Sequence, residues 1–194
     1  MELNFLKWIN ENLHGSSVIN HFFKFVSYFG DFITIWGVLA VVLLCFKKTR
    51  KQGLCLGLCL AGIAVFGLVV KLLVDRTRPF EKSAELAVFI KSIGMELPDS
   101  ASFPSGHTIT SFASAMILTL CFGKKGAWSF VLAGLIAFSR LFLCVHYPTD
   151  VLAGMIFGVL GAVAFYYLFN FVWKKVEEKI KNKKEKKLEP KSEE

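Results

Sequence analysis

Four stretches of this chain, residues 32–46, 52–70, 127–139 and 151–173, contain no Asp, Glu, Lys or Arg. In hydrocarbon there is no water to satisfy a stray peptide group. A segment that crosses a bilayer must therefore be a helix or belong to a closed barrel. Apolar runs of about 20 residues match a helix crossing a core about 30 Å thick. The expected fold class is an all-α integral membrane helical bundle with about five transmembrane helices and an N-terminal interfacial helix. The spans fall at about 31–46, 52–73, 105–122, 126–144 and 149–173, with a polar segment of 74–104 between the second and third.

Three regions follow: an interfacial segment 1–30, a transmembrane domain 31–173 and a Lys-rich tail 174–194. In the first, Phe5, Leu6, Trp8 and Ile9 alternate with Glu2, Lys7, Asn10 and Glu11, the pattern of a helix lying in an interface. Residues 17–30 are aromatic-rich but carry His21 and Lys24, which fits either a second interfacial helix or the lead-in to the first span. The start lacks the basic, apolar and small-residue succession of a cleavable signal, so the spans themselves are expected to direct insertion. The five cysteines lie within or at the ends of apolar segments. They read as small buried hydrophobes, since no His or acidic residue accompanies Cys55 and Cys59.

Basic residues orient the bundle. "KKTRK" at 47–51, "GKK" at 123–125 and the tail fall on one side if five spans alternate, and the positive-inside rule makes that side cytoplasmic. The tail holds nine lysines against six acidic residues, part of a net charge of +8. It reads as a solvated topology determinant, or as a surface for anionic headgroups. With no interleaved aromatics, it does not suggest nucleic acid. Lys71, Arg76, Arg78 and Arg140 lie on the opposite side, against the rule, and so call for a different explanation.

Three polar groups gather there. In "KLLVDRTRP", Lys71 and Arg78 are seven residues apart, which puts them on one face if the second helix runs on to Pro79. Taken alone they also suit snorkelling to headgroups. In "SFPSGHT", Pro104, Ser105 and Gly106 read as the start of the third span. Its free N–H groups favour an anion, with His107 beside it. A plain cap with an interfacial His is the other reading. In "SRLFLCVHYPTD", Arg140 closes the fourth span, His146 lies in the connection and Asp150 opens the fifth. A carboxylate beside an imidazole fixes its tautomer and readies the free nitrogen as nucleophile or base, whereas Asp150 alone is a helix N-terminal residue. Together, fixed cations facing amide donors suit a phosphoryl group, whose charge spreads over three oxygens. No carboxylate cluster is present to hold Mg²⁺, so no metal and no cofactor is expected.

These residues resemble the signature of the type 2 phosphatidic acid phosphatase (PAP2) superfamily, K-x6-RP, PSGH and SR-x5-H-x3-D. Lys71 to Pro79, Pro104 to His107 and Ser139 to Asp150 match it in order. The resemblance implies that His146 is a nucleophile forming a phosphohistidine, oriented by Asp150, and that His107 protonates the leaving oxygen. It also implies a phosphate cradle of Lys71, Arg78, Ser105, Gly106 and Arg140. Many membrane members have six spans; here the interfacial segment stands where the first would be.

The expected function is a metal-independent lipid phosphate or pyrophosphate phosphatase at the outer face of the cytoplasmic membrane, with the tail cytoplasmic. The expected partners are the bilayer and a phosphorylated lipid, best undecaprenyl pyrophosphate. Phosphatidylglycerophosphate, phosphatidic acid and diacylglycerol pyrophosphate are rivals, as is lipid phosphotransfer. A transporter of phosphorylated lipids would carry polar residues mid-span, and the second, fourth and fifth spans have almost none. Oligomeric state has no signature in the sequence.

Overall fold

The computed structural model describes residues 1–30 and 35–188. The described residues form helices and connections, with no strand among them. The elements are α1 (Glu2–Leu13), α2 (Ser17–Phe29), α3 (Ile35–Cys45), α4 (Arg50–Val74), a 3₁₀ turn (Pro79–Glu81), α5 (Ala84–Ser92), α6 (Gly106–Phe122), α7 (Lys124–Ala127), α8 (Ser129–Phe142) and α9 (Pro148–Leu188). Three stretches are long and apolar enough to cross a bilayer: Arg50–Glu81, Lys124–Phe142 and Pro148–Lys183. The shorter apolar helices α3 and α6 complete the expected five. Many exposed side chains along the charge-free stretches of these helices are large and apolar, among them Val41, Val65, Val131, Ile156 and Leu160, as a lipid-facing surface requires. Residues 31–34, the start of the expected first span, and 189–194 of the tail lie outside the described residues.

Helix α6 is the axis of the bundle, packed against α4, α8 and α9. It is lined with small residues, and Ala113, Ser114 and Ala115 are fully buried. Its tightest neighbour is α9. A Cβ on Gly158 would come within 2.5 Å of the Ile109 carbonyl oxygen, and one on Gly154 within 3.0 Å of Thr108 Cβ. Glycines four residues apart let two membrane helices approach backbone to backbone. This seam brings the starts of α6 and α9 together, and the Ser105 N–H donates to the Asp150 carbonyl at 3.1 Å. Below the seam, Trp36, Leu56, Ile109, Ile117 and Ile136 form the main core. The Trp36 indole N–H finds Ser111 Oγ at 3.0 Å, so its polar edge is satisfied inside the bundle. Cys55 and Cys59 pack here as small buried side chains, whereas Cys45 is exposed.

A second core caps one end of the bundle. Leu6 and Ile9 of α1 pack with Phe80, Leu86, Ile90 and residues 142–145. Helix α1 is thus amphipathic as expected, with Phe5 and Trp8 outward, and its inner face lies on the protein. Helix α2 runs beside α8. Phe23 meets Phe138 and Phe142, Ser27 touches Arg140, and Gly30 backs onto Ile136. The Trp36–Ser111 bond then places the start of α3 against α6, so α2 and α3 follow the bundle in succession.

One sequence expectation fails. Lys71 and Arg78 do not share a helical face, because α4 ends at Val74, before Pro79. Asp75 adopts a left-handed conformation (φ 41°), its N–H closing on the Lys71 carbonyl, and the chain leaves the helix there. Pro79 by itself would stop a helix only near Arg78, the residue before it. The earlier stop comes from Asp75, a residue type that tolerates the left-handed region.

Candidate active site

Lys71, Arg78, Gly106, His107, Arg140 and His146 line one cavity of about 620 Å³ at the capped end of the bundle. They come from the last turn of α4, the coil beyond it, the first turn of α6, the end of α8 and the 143–147 connection. Asp150 and Ser105 stand behind this wall, both fully buried. Ser105 occupies the N-cap of α6, but its side chain makes no capping bond. Its Oγ instead accepts a hydrogen bond from Thr108 at 3.0 Å. Of the eight site residues read from the sequence, six therefore face the cavity, Asp150 lies behind His146, and Ser105 packs inside.

Helix α9 begins at Pro148 because proline suits the first helical position, where an N–H has no partner. Asp150, two residues on, reaches back to the Tyr147 N–H with Oδ2 at 2.9 Å, the reciprocal half of a helix-start cap. The same Oδ2 lies 3.7 Å from His146 Nδ1 and accepts Ser102 Oγ at 2.5 Å. On the other side of the ring, Arg78 Nη1 lies 3.5 Å from His146 Nε2. A guanidinium only donates, so Nε2 is the acceptor and the ring proton sits on Nδ1, facing Asp150. Burial holds the His146 imidazole well below its ordinary range. Asp150 pulls the other way, and Arg78, Arg140 and Lys71 around the cavity reinforce the burial. The ring is therefore neutral at physiological pH, with a lone pair on Nε2.

The coil of residues 93–105 supplies contacts that the motifs did not announce. Arg78 donates from Nε to the Ser100 carbonyl at 2.7 Å, from Nη2 to Ser100 Oγ at 3.1 Å and from Nη1 to the Val145 carbonyl at 2.9 Å. Lys71 Nζ donates to the Ala101 carbonyl. Lys24 of α2 holds the start of this coil by donating to the Ile93 and Gly94 carbonyls at 2.7 and 2.8 Å. The apolar residues of this segment and of α5 before it divide between the two sides. Met95 lines the cavity, whereas Ile90 belongs to the outer core and Phe89 stacks on His14. Ser100, Ala101 and Ser102 are not singled out by the sequence, and Lys24 and Arg76 are noted there only for their charge, without a place at the site. The available signal was the first Arg in "DRTRP", Arg76, whose charge also runs against the topology rule.

A second, apolar groove of about 250 Å³ runs between α4 and α6, lined by Ala64, Gly67, Leu68, Ile109 and Thr110. It shares Lys71, Gly106 and His107 with the cavity. A cationic chamber beside an apolar slot accommodates a charged head joined to a greasy tail.

Fold and site together define a membrane-embedded enzyme for phosphate groups. The chain belongs to the PAP2 superfamily, whose family pattern matches residues 52–174, and is a phosphatase acting on phosphate esters and diphosphates in lipid. It is 31% identical over 153 residues to an undecaprenyl-diphosphatase of Sulfolobus acidocaldarius, covering 76% of this chain and 69% of that one. It is 29% identical to the undecaprenyl-diphosphatase BcrC of Bacillus subtilis, covering 86% and 83%. Its fold matches the crystal structure of a transmembrane PAP2 type phosphatidylglycerolphosphate phosphatase from Bacillus subtilis. There the TM-score is 0.64 at 22% identity, over 90% of this chain and 85% of that one.

Proposed function

We propose that this protein removes the terminal phosphate from a polyprenyl pyrophosphate, best undecaprenyl pyrophosphate, at the outer face of the cytoplasmic membrane. The observation that carries the reading is the placement of His146, its Nε2 beside Arg78 at the wall of a chamber also lined by Lys71, Arg140, His107 and the Gly106 helix start. The adjoining apolar groove supports a lipid tail, and the two undecaprenyl-diphosphatase relatives support the prenyl class.

In this mechanism His146 Nε2 attacks the terminal phosphorus in line with the bridging oxygen. The P–O bond breaks, and its electrons go to the lipid phosphate, which takes a proton from His107. Lys71, Arg78 and Arg140, with the Gly106 amide, hold the equatorial oxygens. A water then attacks the phosphohistidine and gives its proton to His107. The P–N bond breaks, and inorganic phosphate leaves with both histidines restored. Asp150 keeps the His146 proton on Nδ1 throughout and steadies the cation that phosphorylation creates. The cations do the charge stabilisation, so no metal enters any step. The basic segments 47–51, 123–125 and the tail support an outward-facing site.

The test is phosphate release by the purified protein in EDTA from undecaprenyl pyrophosphate, phosphatidylglycerophosphate, phosphatidic acid and diacylglycerol pyrophosphate. The expected result is highest kcat/KM on undecaprenyl pyrophosphate and loss of turnover by many orders of magnitude in His146→Ala. Activity that needs an added metal, a preference for another of the four lipids, or full rate in His146→Ala overturns it.

A further inference from the structure

Arg76 fills an unspecified position of the first motif and Glu2 lies outside all three, yet they meet directly behind the site. Arg76 follows the left-handed Asp75 and points away from the cavity. Its Nη1 donates to Asp150 Oδ1 at 2.5 Å and to Thr149 Oγ1 at 2.7 Å, and its Nη2 donates to Glu2 Oε2 at 2.6 Å. The guanidinium carbon lies 4.1 Å from the centre of the Tyr147 ring. The second Glu2 oxygen accepts the Thr149 N–H at 3.0 Å and its hydroxyl at 2.7 Å. Glu2 thus clasps the first turn of α9 and the guanidinium together.

The geometry makes these two residues part of the nucleophile's support. Asp150 Oδ2 takes Ser102 and the Tyr147 N–H and faces His146, so its orientation depends on what fixes Oδ1. The described donor at Oδ1 is Arg76. An isolated, partly exposed ion pair is a weak fastener. This one ends on a carboxylate that is fully buried, and a planar fork bonded on both arms cannot rotate freely. Helix α1 is itself anchored: Leu6 and Ile9 are buried in the outer core, and His14 bonds the Phe142 carbonyl at 2.7 Å. The lever therefore has a fixed end.

We propose that Glu2 and Arg76 are positioning residues for the His146–Asp150 pair, so that helix α1 is a structural component of the active site. Glu2 holds the guanidinium against Tyr147, Arg76 holds Asp150 Oδ1, and Asp150 Oδ2 is left aimed at His146 Nδ1. The proposal rests on His146 being the nucleophile.

The charge argument makes it distinguishable from simple scaffolding. His146 is faced by Arg78, Lys71 and Arg140 from the cavity side and by Asp150 from α9. Arg76 offsets part of the Asp150 charge from behind. In Arg76→Gln that charge acts on His146 uncompensated, the imidazolium is favoured, and the acid limb of kcat/KM moves to higher pH.

The experiment is a pH series of phosphate release from undecaprenyl pyrophosphate with wild type, Glu2→Gln, Arg76→Gln, Arg76→Lys, the Glu2→Gln/Arg76→Gln double variant and His146→Ala. Arg76→Gln is expected to lose about 10- to 100-fold in kcat with little change in KM, and its acid limb to rise. Arg76→Lys keeps the limb in place but not the rate, because one ammonium cannot span Asp150, Thr149 and Glu2. Glu2→Gln loses less, and adds nothing on top of Arg76→Gln. Unchanged kcat in Glu2→Gln and Arg76→Lys, an unmoved limb in Arg76→Gln, or multiplied losses in the double variant overturn the proposal. If Arg76→Gln does not fold, Glu2→Gln and Arg76→Lys decide by their kcat. An active His146→Ala breaks the functional reading itself. An inactive His146→Ala with silent Glu2 and Arg76 variants breaks this inference alone.

Discussion

Arg78 Nη1 lies 3.5 Å from His146 Nε2, while Asp150 Oδ2 lies 3.7 Å from Nδ1 on the opposite edge of the same ring. The donor on one side and the carboxylate on the other leave one tautomer compatible with both. That relationship turns a buried histidine into an oriented one, with its lone pair on the nitrogen nearest the cavity cations.

It also sets a pH dependence. Burial keeps His146 below its ordinary value in the folded protein. On unfolding, the ring returns to about 6.5 and takes up a proton below it. The unfolded state then binds more protons, so stability present above about pH 6.5 is lost as pH falls, by up to about 1.4 kcal/mol per unit from this group. Melting of wild type and His146→Asn from about pH 7.5 to 5 is expected to show a shallower acid loss in the variant. Equal slopes would assign the loss to other groups.

The α6–α9 seam makes a packing prediction. A methyl on Gly158 would lie 2.5 Å from the Ile109 carbonyl oxygen and 3.0 Å from the Ala113 nitrogen, both backbone atoms that cannot swing aside. Gly158→Ala is expected to cost about 1–3 kcal/mol and to lower activity, because the same seam sets the Ser105–Asp150 backbone bond. Gly134, which meets nothing within 4 Å, is the control: Gly134→Ala should be neutral or slightly stabilising. Thermal inactivation midpoints of the two variants decide.

Much of this was legible in the sequence, and for identifiable reasons. Charge-free runs locate α4, α8 and α9 because hydrocarbon tolerates nothing else. Pro148 and Asp150 mark the start of α9 through local chemistry alone. Lys71, Arg78, Arg140 and His146 were readable because their motifs carry charge against the topology rule, and Gly106 and His107 because Pro104 and Ser105 mark a helix start. What escaped depends on tertiary folding. Ser100, Ala101 and Ser102 touch the site through a coil whose path is set by Lys24, from an element about 70 residues away in the chain. Glu2 meets Arg76 across 74 residues of chain. The shared face of Lys71 and Arg78 was misread because Pro79 is a visible stop, whereas a left-handed Asp75 is not.

Arg78 should resist conservative replacement. Its three nitrogens reach Ser100 twice and Val145 once, besides approaching His146. A lysine carries the charge but not the fork. Arg78→Lys is expected to lose about 100-fold in kcat/KM on the lipid substrate while its melting stays near wild type. Recovery of more than about half the rate would mean that charge alone suffices there. Ser100→Ala, which removes one of the four contacts, should fall between the two.

The groove between α4 and α6 offers a test of where the lipid tail lies. A Cβ on Gly67 would meet Ile109 at 3.8 Å, ordinary contact, so Gly67→Ala should change little. A phenylalanine there would fill a slot of about 250 Å³ whose far wall is Ile109 and Thr110. The bilayer already shelters a prenyl chain, so the groove gains little from the hydrophobic effect and acts by packing and alignment. The expected effect of Gly67→Phe is therefore moderate, about 10-fold in kcat/KM on a long prenyl pyrophosphate. Turnover of a short, water-soluble phosphate ester should stay at the wild-type rate, since the cavity cations are untouched. Equal losses on both substrates would place the damage in the phosphate chamber, and no loss on either would place the tail outside this groove.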